Sequence, residues 1–117
     1  MKKSRTAIFA FKSNPICFVH VLLNAIDLYE NKAEVKIILE GEATKLIAEL
    51  RKSEHSLHVL YEKVKELNLI DAVCRACAMK MGVLEVAETE GFRIADDMKG
   101  HAGMAPYLAQ GYEIITL

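Results

Sequence analysis

The 117-residue chain has no surplus of either charge, few aromatic side chains and no long hydrophobic run. Its 15 basic and 16 acidic residues are interspersed, so no basic face is offered to nucleic-acid phosphates and no nucleic-acid partner is expected. The longest apolar stretch beyond the first few residues, Ile16 to Leu23, contains His20 and stops at Asn24. That is well short of a membrane span, and no membrane association is expected. Basic residues precede Ala7 to Phe11, as in a signal peptide, but this run is too short and Lys12, Ser13 and Asn14 interrupt it. Neither a G-x-G-x-x-G nor a P-loop pattern occurs, which removes positive support for a dinucleotide or nucleoside triphosphate. Repeats, linkers and low-complexity segments are also missing. The cysteines number three, an odd count, and without an export signal they point to the reducing cytoplasm and to free thiols.

What is present is an aliphatic core former. A hydrophobic fraction of 52% with only 7% aromatics means Ala, Val, Ile and Leu fill the interior, and residues 1–117 suffice for one domain without disulfide staples. Arg5 to Lys12 reads as a first strand. "SNP" then supplies an N-cap with Pro15 at the first helical position, opening a helix over Ile16 to Tyr29. "EVKIIL", Glu34 to Leu39, is a β-branched second strand, and a glycine turn leads from it into a charged amphipathic helix. Leu57, Leu60, Val64 and Leu67 make the apolar stripe of a helix predicted over His55 to Leu67. "NLIDAVC" is a third strand ending at Cys74, followed by a short helix, "RACAMKM", closed by Gly82. A short strand near Gly91 to Ile94, a helix opened by Pro106 and a last strand, "YEIITL", complete the order. Alternating strands and helices predict an α/β fold with a mainly parallel sheet and helices on both faces.

Chemistry on such sheets collects at the carboxyl ends of the strands. The turns expected there are Lys12 to Pro15, Glu40 to Ala43, and Cys74 itself, which makes Lys12, Asn14, Gly41, Glu42 and Arg75 candidate substrate-binding residues. Cys74, closing a strand and opening a helix, sits where free backbone N–H groups and the helix dipole favour an anion, with Arg75 or Lys12 able to assist. A free thiol titrates near ~8.5, and such surroundings make a sulfur more nucleophilic at cellular pH. Cys77 lies one helical turn further on the same side, placed to hydrogen-bond that sulfur or to resolve an oxidised form.

Several readings of the pair stand side by side. Two small buried hydrophobes in an alanine-rich helix is the plainest. Zinc needs about four ligands; no second close pair exists, and Cys17, His20 and His101 are the only recruits, so no metal is expected. A thioredoxin-like dithiol competes, though the pair follows the third strand and Val73, not an aromatic residue, precedes it. The loop "DDMKGHAGMAP" brings Asp96, Asp97 and His101 to the mouth of a site, with His101 a candidate general base. Cys17 and His20 are expected in the core or an interface of the first helix, and His55 and His58 on a solvated helix start.

The segment "VCRACAMKMGV" resembles the V-C-x-A-A-x-x-R-G-[VL] segment of the DsrE/DsrF/TusD-type sulfur-relay family, with Cys74 on its persulfide-carrying cysteine and Gly82 on its glycine. "VKIILEGEATKLI" is similar to that family's second strand, Gly-acid turn and following helix, and "GYEIITL" to its last strand. The resemblance implies a three-layer α/β/α sandwich, a five-stranded, mainly parallel sheet and a homo-oligomer. It also implies a carrier that takes a persulfide sulfur on Cys74 from a donor protein and passes it to an acceptor thiol, without metal or organic cofactor. Cys77 replaces the family's usual alanine, and the basic residue before the glycine is shifted to Lys80. A Cys74–Cys77 redox switch and a non-catalytic small-ligand-binding module are the alternatives.

Overall fold

Local signals set the first βαβ unit. In the computed structural model, which describes residues 4–117, β1 (Arg5–Ala10) passes through a short turn into α1 (Pro15–Glu30). The Asn14 side chain accepts a 2.8 Å hydrogen bond from the Ile16 N–H, satisfying one of the donors a helix start leaves free, and Pro15 fills a position that needs none. Phe18, Val21, Leu22 and Ala25 then recur on one face and are buried, which turns that face onto the sheet. The chain leaves α1 through Lys32 at φ 71 and enters β2 (Glu34–Leu39).

Beyond β2 the order is a 3-10 turn (Gly41–Lys45), α2 (Leu46–Leu50), α3 (His58–Glu66), β3 (Ile70–Cys74), α4 (Arg75–Lys80), α5 (Leu84–Thr89), β4 (Ile94–Ala95), α6 (Ala105–Ala109) and β5 (Glu113–Thr116). The strands lie in the order β4-β3-β2-β1-β5 and every pairing is parallel. The architecture is a three-layer α/β/α sandwich with a five-stranded parallel sheet, as expected. Three differences are local. The helix foreseen after Gly41 breaks into a 3-10 turn and one helical stretch of five residues. The next helix begins at His58 rather than His55, because the His55 ring accepts from the Leu57 N–H in a turn before it. The short α5, a single Glu-rich turn and a half, was not foreseen.

Strand alternation deals the side chains to two unequal layers. Ile8, Ala10, Ile37, Leu39 and Val73 face α1, α2, α3 and α5, where Leu22, Ile47, Tyr61 and Val64 are fully buried. Ala7, Phe9, Ile38, Ala72 and Cys74 face the thinner layer, made of Ala102, Tyr107 and Tyr112. Burying a ring such as Phe9, whose centroid lies 5.5 Å from that of Tyr107, contributes roughly 1.5–3 kcal/mol. A bulge in β3 leaves Asp71 without a partner on β2. Its Oδ2 accepts from the Tyr107 hydroxyl at 2.6 Å and from Arg93 at 3.0 Å, while the Lys36 ammonium stands 3.7 Å from Oδ1. This network fastens α6, and the loop before it, to the sheet. No helix among the described residues is long and apolar enough to cross a membrane.

Candidate functional site

Cys74 is the last residue of β3 and is wholly buried, at 0% exposure. By strand alternation its side chain shares the face of Ala72, Ile38 and Glu40. The turn into α4 carries Cys77 one helical turn on, half-buried. Above both lies the loop 96–104, held by a two-residue hairpin. Met98 and His101 exchange backbone hydrogen bonds of 2.8 and 2.9 Å, and Lys99 and Gly100 turn the corner at φ 50 and φ 91. Positive φ at both central residues suits this turn, and glycine takes the more demanding place. The Gly100 carbonyl accepts a 2.9 Å bond from the Ala76 N–H, pinning the hairpin to the start of α4.

The hairpin thus delivers the His101 ring to the sulfurs. Its Nδ1 lies 3.3 Å from Cys74 Sγ and 3.6 Å from Cys77 Sγ. All three cysteines are free thiols. Behind the hairpin, Asp97 accepts from the Gly103 N–H at 3.3 Å, and a Cβ at Gly103 would stand 2.7 Å from Asp97 Oδ2, so only glycine fits without displacing that carboxylate.

The electrostatics separate the two sulfurs. Burial, then a hydrogen bond with Cys74, pushes the Cys77 thiol up to about 11, outweighing the Gly41 N–H that opposes them. At neutral pH Cys77 is therefore an S–H able to donate. Glu40, which the sequence presented only as part of a turn, is 6% exposed; burial and the nearby Asp97 charge push its carboxyl up to about 7. It was recognisable as an inward-facing acid at the end of "VKIILEG", two residues beyond Ile38. The arrangement holds a buried sulfur, a second sulfur that keeps its proton, an imidazole touching both and a carboxyl poised near neutrality.

No family model matches the chain. Over 100 residues, 85% of this chain and 78% of the relative, it is 42% identical to the uncharacterized protein MJ0733 of Methanocaldococcus jannaschii. The chain belongs to the MJ0733 family. Among solved structures it is similar to a conserved protein of unknown function, BT1422, from Bacteroides thetaiotaomicron, with a TM-score of 0.70 over 97% of this chain and 95% of that one. At 20% identity that likeness shows the fold alone.

In this member of the family, the residues singled out from the sequence divide into groups. Cys74, Cys77 and His101 meet, and Gly41 joins them through its N–H. Glu42 and Arg75 lie exposed nearby in sequence, and the Asn14 side chain is engaged in capping α1. Lys12 lines a separate hollow of about 440 Å³ at the ends of β1 and β5, with Phe11, Cys17, His20, Thr116 and Leu117. Cys17 does not reach Cys74, because β2 lies between β1 and β3. His20 is exposed, not in the core, and His58 is half-buried with Nδ1 2.8 Å from the Leu50 carbonyl, not solvated. A further hollow of about 280 Å³ between Lys65 and Arg93 is lined by charges already paired, Arg93 with Asp71 and Lys65 with Glu90.

Proposed function

We propose that the chain is a DsrE-type sulfur carrier in which Cys74 accepts a sulfane sulfur and hands it to an acceptor thiol. The observation that carries this reading is the single imidazole nitrogen within 3.3 Å of Cys74 Sγ and 3.6 Å of Cys77 Sγ at the carboxyl edge of the sheet. His101 is placed to take the proton from Cys74 as it attacks. The Cys74 sulfur bonds to the outer sulfur of a donor R–S–SH, the donor's S–S bond breaks, and the donor leaves as RS⁻ to recover a proton. Cys77, kept protonated, donates to the charge on the persulfide formed. An acceptor thiolate then attacks the outer sulfur and Cys74 leaves, so no net oxidation occurs. The sequence likeness of "VCRACAMKMGV" to the sulfur-relay segment supports the same assignment. A donor and an acceptor protein are the partners this reading requires; the likeness implies a homo-oligomer, and an odd count of free cysteines suits the reducing cytoplasm.

The test is intact-mass spectrometry with peptide mapping on reduced protein given a persulfide donor. Cleavage after Arg75 places Cys74 and Cys77 on different peptides. A one-sulfur gain on the Cys74 peptide, retained in Cys77→Ser and lost to an added thiol, is the expected result. Formation of a Cys74–Cys77 disulfide with no retained sulfur would instead identify a dithiol switch, and inertness would return both thiols to the core.

A further inference from the structure

We infer that Cys74, Cys77 and His101 bind a single zinc ion, with a water molecule in the fourth position. The ligand atoms of the first three lie within 4.8 Å of one another, with Nδ1 3.3 and 3.6 Å from the two sulfurs. A tetrahedral zinc with bonds of about 2.3 Å to sulfur and 2.0–2.1 Å to nitrogen sets such atoms roughly 3.5–3.8 Å apart, so the cluster needs little movement to close on the ion. Two thiols and an imidazole suit a borderline-soft cation and disfavour magnesium or calcium, which take oxygen ligands.

Strand alternation puts Glu40, 6% exposed, on the same sheet face as Cys74 and one strand away, where a carboxylate favours a cation beside the thiols. The absence of a second close pair in the sequence concealed the site, because the third ligand, His101, comes from a hairpin 24 residues beyond Cys77. Zinc would occupy the sulfur lone pair that attacks a persulfide, so the metal-bound form is a resting form of the carrier. Zinc binding itself does not rest on sulfur transfer, and each can fail alone.

Titrating zinc into the reduced, full-length chain against a chromophoric chelator tests this, with cobalt substitution as a second readout. The expected result is one ion per chain and a cobalt spectrum with thiolate-to-metal charge-transfer bands. Affinity should fall at least about a hundredfold in Cys77→Ser and in His101→Ala, while Cys17→Ser and His20→Ala leave it unchanged. His101 is exposed and Cys77 half-buried, so folded variants are expected, and far-UV circular dichroism checks them. No binding, or binding that survives Cys77→Ser and His101→Ala, would overturn the site.

Discussion

Two cysteine–histidine combinations stand at the carboxyl edge of one sheet, and they differ in more than the second cysteine that one of them carries. Cys17 and His20 are three residues apart on α1, half-buried and exposed respectively, and they line an apolar hollow that opens outward. Cys74 and Cys77 are also three residues apart, but a hairpin from 24 residues beyond Cys77 sets His101 against both sulfurs. The first combination is local and makes no hydrogen bond between its members among the described residues. The second is tertiary, and its geometry depends on the 98–101 hairpin, on α6 and on the Asp71 network beneath it. The proposed chemistry is assigned to the second, since proton transfer requires hydrogen-bond reach and not merely the right residue types.

The largest effect that would break this contrast comes from below the site. Asp71→Ala leaves Tyr107, Arg93 and Lys36 without their shared carboxylate and should cost about 2–3 kcal/mol in urea unfolding, loosening the His101 loop with it. The same residue gives a pH signature. Burial alone would raise the Asp71 carboxyl, but hydrogen bonds from Tyr107 and Arg93 and the charge of Lys36 hold it below its usual range. A carboxyl depressed in the folded state contributes stability that is present above its unfolded pKa and is lost as pH falls through the folded one. Wild type should therefore lose stability on the acid side of the ordinary carboxylate range more steeply than Asp71→Asn.

A smaller effect is expected at Gly103. Its alanine variant sets a Cβ against Asp97 Oδ2 and should cost about 1–2 kcal/mol, while lowering the yield of persulfide on Cys74 by displacing the loop. Smallest of all is Cys17→Ser, expected within about 0.5 kcal/mol of wild type and without effect on sulfur loading. A Cys17→Ser variant that loads poorly would erase the distinction between the two combinations.

The difference between local and tertiary information also explains what was legible in the sequence. β2 was readable to the residue, because "EVKIIL" is β-branched and bounded by turn residues, and α1 was announced by Asn14 and Pro15. Cys74 at a strand end was readable for the same reason. The helix after Gly41 was misjudged because its charged pattern holds for barely two turns, and α5 is too short to show a period. His101 was visible only as a loop histidine, since the turn at Lys99 and Gly100 that aims it has no consequence until α4 is in place. Glu40 read as a turn acid because the alternation that turns it inward, two residues beyond Ile38, was not carried past the end of β2.

The most direct test of the central claim is the rate of sulfur loading onto Cys74 from a persulfide donor in wild type, His101→Ala and His20→Ala. Removal of a positioned proton acceptor costs on the order of 10²–10⁴-fold. His101→Ala should therefore load at least about a hundredfold more slowly, with stability nearly unchanged, and His20→Ala should match wild type. Equal rates in all three, or sulfur arriving on Cys17, would contradict the account.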